Sequence, residues 1–391
     1  MVQLARAGGR ARAGVTRYDP SSPMPNLDAR AVALLAAAAI AVGAAGCRER
    51  VEREGGGEAG AEADGRPGTG PAAPAPPEAP AVSQPPPLPE APPLPFAPRG
   101  LPPLASPEYN PTTPDKVELG RLLFFDPRLS ASGETSCASC HQPAEGWADG
   151  VERARTDAGQ PNLRHTPSLF NVGYHREWSW DGSKPSLEAH ILSHWKGQLG
   201  RRPDDAEALL RRAPGYARRF SRAFGGGPER EHIAEALAAF VRTVTSGDSP
   251  VDRHEAGVAG ALSREAEAGR AVFSQRAGCA TCHPPPLYTD LAYHDRGIGA
   301  AARAADPGRM RVTADARQLG AFKTPGLRGL THTAPYFHDG SSATLEAAVD
   351  AELAHDRISL TAPERGQLLA FLRGLSSPVP SVTRPDLPAV Q

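Results

Sequence analysis

Cysteine, methionine and net charge are all scarce in this chain: 391 residues hold five cysteines, three methionines and a formal net charge of −1. So few cysteines among 42 prolines and 40 glycines exclude a disulfide-stapled secreted module, and the prolines exclude a helical rod. A charge this close to zero argues against a nucleic-acid binder driven by phosphate contacts. The apolar run at 31–46, directly after Arg30, falls short of the ~20 residues that a membrane span needs. It fits the hydrophobic region of an export signal instead. β-branched residues are sparse and few runs alternate, so strand signals are weak.

The amino-terminal quarter reads as an address and a tether. Residues 1–47 read as a signal peptide ending in Ala44-Ala45-Gly46-Cys47, which resembles a lipoprotein box with alanine where leucine is usual. Lipid on Cys47 is the expectation, with a plain cleaved signal or a retained anchor as alternatives; each exports the chain. Met24 would place the apolar run at a normal distance from the start. Fourteen of the prolines lie in 67–98, so 48–103 is expected to be a disordered, semi-extended linker. What remains is about 275 residues, enough for one large or two ordinary domains.

The cysteines that are present are arranged with purpose. Four of them form Cys137-Ala138-Ser139-Cys140-His141 and Cys279-Ala280-Thr281-Cys282-His283. This pentapeptide signals covalent c-type haem attachment: two thiols one helical turn apart add to the vinyl groups, and the next residue offers its imidazole to the iron. A Cys₄ zinc site is the bland alternative, but it needs no histidine in the following position, and these pairs are 142 residues apart. A redox dithiol is the third option, and it would not be duplicated with histidine each time. Export favours haem. The expected proximal ligands are His141 and His283, and the expected cofactors are two haem c groups.

A duplicated motif predicts a duplicated fold. Both motifs follow a Gly-Arg with apolar residues at helical spacing, in Glu118-Leu119-Gly120-Arg121-Leu122-Leu123 and Glu267-Ala268-Gly269-Arg270-Ala271-Val272. Further helices are predicted over 186–195, 204–212, 230–245, 344–354 and 363–375, with Asp204 and Thr344 as N-caps. The expectation is a mostly α fold of two tandem cytochrome c-like domains with long irregular connections. The predicted spans are 104–250 and 251–377, with a tail at 378–391 and the boundary within 247–260.

The chain between 104 and 376 resembles the bacterial dihaem cytochrome c peroxidase family, which includes the MauG-type enzymes. The resemblance rests on the two haem motifs and on His165-Thr166-Pro167-Ser168-Leu169-Phe170-Asn171, Trp178-Ser179-Trp180-Asp181-Gly182, Phe322-Lys323-Thr324-Pro325-Gly326-Leu327-Arg328 and Ala334-Pro335-Tyr336-Phe337-His338-Asp339-Gly340 with Thr344-Leu345-Glu346. It implies a peroxidatic haem in the first domain, an electron-transfer haem in the second, and reduction of hydrogen peroxide with electrons from a small cytochrome c or cupredoxin. Two haems suit that reaction independently, because peroxide reduction takes two electrons and haem donors deliver one at a time. The implied location is the periplasm, and many members are homodimers.

Carried over residue by residue, the resemblance makes Trp180 an electron relay, with a core indole as the bland reading. His190 and Gln198 fall where the family places a glutamine and a glutamate over the peroxidatic iron. A histidine there can act as acid/base near neutral pH, and His194, one turn on, is its rival. No histidine occurs in 142–164, where many members keep one that blocks the peroxidatic iron, so the first haem is expected to be five-coordinate, as in MauG-like members. His165 replaces an asparagine of a calcium site to which Thr333 and Pro335 would offer carbonyls. The distal ligand of the second haem is methionine or tyrosine 14 residues after the histidine of His-Asp-Gly; that position here is Glu352, with His355 one turn beyond as an alternative. Three functions are therefore in play: a detoxifying peroxidase, a MauG-like oxidase that modifies a partner protein, and a non-catalytic dihaem electron carrier.

Overall fold

The computed structural model describes residues 86–104, 106–379 and 382–390. The signal peptide and Cys47 lie outside the described residues. Eleven α-helices among the described residues dominate the fold: α1 (Pro114–Phe124), α2 (Cys137–Cys140), α3 (Leu187–Leu199), α4 (Pro203–Arg211), α5 (Pro214–Phe224), α6 (Arg230–Arg242), α7 (Pro250–Glu255), α8 (Arg264–Ala271), α9 (Met310–Thr313), α10 (Leu345–His355) and α11 (Ala362–Arg373). None of them is long and apolar enough to cross a membrane. The one sheet among the described residues is a short antiparallel pair, β1 (Tyr293–Asp295) with β2 (Ala321–Lys323), in the register His294 opposite Phe322.

Local chemistry accounts for most helix ends. Thr344 accepts from Ala347 N, as its N-cap assignment predicts. Ser186 caps α3 in the same way, and that helix runs four residues past its predicted end, to left-handed Gly200. Asp204 is not a cap: the N-cap is Arg202, because Pro203, which has no N–H to lose, occupies the first turn and leaves Asp204 inside it. Sequence reading missed α5, whose many arginines mask the apolar stripe of Tyr216 and Phe220.

Two clusters of buried side chains organise these elements. One draws on 119–244, the other on 251–375. The Gly-Arg repeat is where each cluster closes. A Cβ on Gly120 would sit 1.9 Å from Ala236 O and 2.8 Å from Phe240 Cβ; on Gly269 it would sit 1.9 Å from Gln367 O and 2.9 Å from Phe371 Cβ. The paired helices α1 with α6 and α8 with α11 therefore cross backbone to backbone at glycine. Gly269→Ala is expected to cost about 1–3 kcal/mol through forced separation of the helices. Gly197→Ala, in a helical position with open space around it, is expected to gain up to about 1 kcal/mol. Denaturant melts of the two variants check both signs.

The described parts of the flanking segments, 86–103 and 382–390, contact the helical body. Pro86 O and Pro89 O accept hydrogen bonds from Arg218 and Arg222, and Pro102 O accepts one from the Tyr174 hydroxyl. At the other end, Val382 and Leu387 pack on the first cluster, and Arg128 donates to Pro388 O at 2.8 Å. Arginines of the first half thus satisfy proline-rich backbone that cannot pair as a strand.

Candidate active site

Each Cys-x-x-Cys-His segment folds into one tight turn that leaves its histidine half finished as a ligand. Ser136 and Ser139 close a capping box over Cys137–Cys140. His141 Nδ1 then donates to Trp147 O at 3.0 Å. In the second motif, His283 Nδ1 donates to Tyr288 O at 2.9 Å. Both acceptors are aromatic residues in the left-handed region, with φ of 61° at Trp147 and 55° at Tyr288. Both rings are anchored in their clusters, Trp147 on Phe124 and Phe240, Tyr288 on Phe273 and Phe371. With Nδ1 committed as donor, Nε2 carries the free lone pair that a metal needs. Burial holds both imidazoles below their usual pKa and so keeps them neutral.

The four thiols point the same way. All are unpaired, and burial pushes Cys137 up to about 12 and Cys140 and Cys279 to about 11, so they stand as neutral thiols. Among the described residues, no cluster of three or more ligand groups joins the two motifs. The Cys₄ zinc reading therefore has no site. Donor set and surroundings fit covalent haem at each motif.

A cavity of about 980 Å³ opens beside the first motif. Cys137, Cys140 and His141 line it, and so do His190, His194 and Gln198 from one face of α3. His190 Nδ1 lies 3.1 Å from Ser179 Oγ. Burial first, then the neighbouring His194, hold the His190 imidazole well below its ordinary pKa. The two rings are tilted by 31° with centroids 4.0 Å apart, and His194 Nδ1 donates to His190 O at 3.0 Å. Gln198 shares the cavity wall, and its backbone carbonyl accepts from Asp157 N.

Trp180 lines the same cavity and faces the second half of the chain. Its indole N–H donates to His165 O at 2.9 Å, His165 N donates to His338 O, and the Trp180 and His338 rings meet edge to face at 6.5 Å. The loop that carries it is clamped from the second half. Arg309 donates to Asp181 O and Gly182 O at 2.9 Å, while Arg164 bridges Asp181 and Asp306. Lys323 N donates to Trp180 O at 2.8 Å. None of Ser179, Arg164, Arg309 and Lys323 was singled out in the sequence, although Ser179 and Lys323 lie inside the quoted segments.

The remaining candidates fall elsewhere. Glu352 Oε2 accepts from Arg296 Nε at 2.7 Å, and Asp356 takes the other end of that guanidinium. His355 is exposed at the last residue of α10. Thr333 lines the first cavity, and its hydroxyl donates to Leu330 O. His165 is buried and spends Nδ1 on Val151 O at 3.0 Å.

Comparison with known proteins places this geometry. Residues 114–259 match the family described as di-haem cytochrome c peroxidase. The chain is 39% identical to methylamine utilization protein MauG of Methylorubrum extorquens over 297 residues, 72% of this chain and 84% of the relative. It is 33% identical to cytochrome c551 peroxidase of Nitrosomonas europaea, over 71% of this chain and 85% of that one. Among solved structures, a MauG-like protein associated with microbial copper homeostasis superposes with a TM-score of 0.66 at 29% identity, covering 72% of this chain and 94% of that one. The fold is thus the mostly helical one of dihaem peroxidases, two cytochrome c-like domains.

Proposed function

This chain belongs to the dihaem cytochrome c peroxidase and MauG family, and from that premise we propose that it is a periplasmic peroxidase reducing hydrogen peroxide to water with electrons from a small redox protein. That it is an oxidoreductase of the cytochrome c peroxidase family follows from membership; the substrate, the donor and the role of each site residue are the proposal. Haem bound at Cys137, Cys140 and His141 would supply the one-electron iron chemistry, and haem at Cys279, Cys282 and His283 would store the second electron.

The observation that carries the reading is the shared cavity of His141 and His190. His190 is neutral at physiological pH and has Nδ1 engaged by Ser179. In the tautomer that donates Nδ1–H to Ser179 Oγ, Nε2 carries the free lone pair and can take a proton from a peroxide oxygen and return it to the departing one. Gln198 orients the same ligand by hydrogen bonding but transfers no proton. Trp180, hydrogen-bonded to the segment that meets His338, is the relay between the two motif sites. The lipid anchor at Cys47 and the homodimer belong to the same proposal.

Two outcomes test it. The resting oxidised protein is expected to show one high-spin haem by EPR without prior reduction, since no histidine in 142–164 is available to block the first site. A wholly low-spin spectrum would overturn this. Trp180→Phe is expected to lower turnover with peroxide and a reduced cytochrome or cupredoxin by at least tenfold; full turnover in the variant would remove the relay. A second reading, a MauG-like oxidase acting on a partner protein, is favoured by the absence of methionine at position 352, where Glu352 is held by Arg296. Oxidation of a partner by peroxide with no cytochrome turnover would select it.

A further inference from the structure

Among the described residues, Lys323 has no ion-pair partner. Its side chain lies in the wall of the first cavity and is 9% exposed. Nζ donates to Glu177 O at 2.7 Å and lies 3.4 Å from His175 Nδ1. Among the described residues, no carboxylate oxygen comes within ion-pair distance of it. The two acids whose charges act on it are engaged elsewhere: Glu177 with Arg309 and the Tyr293 hydroxyl, Asp181 with Arg164. His175 adds no charge of either sign, because burial and the lysine itself hold it neutral, with a pKa of about 3. An isolated buried ammonium costs several kcal/mol unless an anion meets it. Nothing in its fold position demands a cation either, since a neutral donor would serve the Glu177 carbonyl equally well.

We infer that Lys323 is the counter-ion of a propionate carboxylate of the haem held at Cys137, Cys140 and His141, an assignment that rests on the reading of this cavity as a haem site. A c-type haem is fixed by its vinyl edge through the thioethers, which leaves two carboxylates at the opposite edge to be placed by the protein. Lys323 supplies the missing charge pair for one of them. It also ties that carboxylate to the relay, since Lys323 N bonds Trp180 O at 2.8 Å and Nζ bonds the carbonyl of Glu177, in the same loop. Lys323 is thus a positioning residue that fixes the haem edge against the Trp178–Gly182 loop.

The charge has a measurable consequence. A cation beside the haem disfavours the oxidised iron, which carries one more positive charge, and so raises the midpoint potential. Removing the charge lowers it. The test is spectroelectrochemical titration of the holoprotein in Lys323→Gln, which keeps a donor for Glu177 O, in Lys323→Met, and in Lys323→Arg. The expected result is a lower midpoint for the first haem in Gln and Met, a near-wild-type value in Arg, and an unmoved second haem. Peptide mass spectrometry showing haem on Cys137 and Cys140 separates the outcomes. If haem is present there and the midpoint stays at the wild-type value in Gln and Met, Lys323 only ties the loop and the inference is overturned. If that peptide carries no haem, the reading of the cavity fails first. Should Met not accumulate as folded protein, Gln alone decides.

Discussion

Replacing His190 by alanine is expected to cut peroxide turnover about 10²- to 10⁴-fold, the range that a positioned general acid/base contributes. The variant should keep its haem content, because His190 is not an attachment residue. His194→Ala is expected to cost tenfold or less. Both rings line the cavity, but His190 alone is gripped by a side chain of the Trp178–Gly182 loop, through Ser179 Oγ, whereas His194 is held by its own helix at His190 O and Ser193. The pH profile gives a second readout. A base acts when neutral, and burial with neighbouring His194 pushes the His190 pKa well down. The acid limb should therefore fall below the ordinary histidine value of ~6.5. In His194→Ala, one source of positive potential is gone and the limb should move up. If His194→Ala lost the activity and His190→Ala kept it, the acid/base role would belong to His194.

Arg328→Met is expected to destabilise the holoprotein by about 3–5 kcal/mol, the usual cost of removing one member of a buried ion pair. Its guanidinium and the Asp252 carboxylate are 2% and 1% exposed and meet through two bonds of 2.7 and 2.8 Å. The same guanidinium donates to Pro286 O at 2.6 Å and to Gly100 O at 2.9 Å. One side chain therefore joins α7, the segment after the second motif and the proline-rich stretch before the first. Loss of the arginine strands the Asp252 charge, which also accepts from Ser249 N and Oγ at the start of α7. Arg328→Met with Asp252→Leu is expected to recover part of the loss, because an uncharged pair of similar volume has no desolvation cost. Chemical denaturation of the three proteins at matched haem content measures the difference. A single variant within 1 kcal/mol of wild type would show that the pair is solvated in practice.

Several features of the site were legible because their signals are local. The Cys-x-x-Cys-His spacing is fixed by one helical turn, and the structure adds only that each histidine spends Nδ1 on the carbonyl of a left-handed aromatic residue. The Gly-Arg repeat was readable as duplication, but its reason was not. Gly120 and Gly269 matter because Ala236 O and Gln367 O occupy the space a side chain would take, and those oxygens lie about 100 residues away along the chain. The His190 and His194 pair was visible as a shared helix face. Choosing between them required Ser179, which reaches His190 from another loop.

By itself, then, the sequence determined the chemistry available: four thiols and two histidines in attachment spacing, a tryptophan in a family segment, and no methionine at the position after His-Asp-Gly. It did so because covalent and first-turn constraints act over a few residues. Only the tertiary structure decided which charges are balanced. Arg328 and Lys323 are both cations of the segment 322–328, five positions apart, yet among the described residues the fold brings Asp252 into an ion pair with the first and no carboxylate into one with the second. Burial and pairing are set by elements remote in sequence, and the cost of an unpaired charge depends on that surrounding rather than on the residue that carries it.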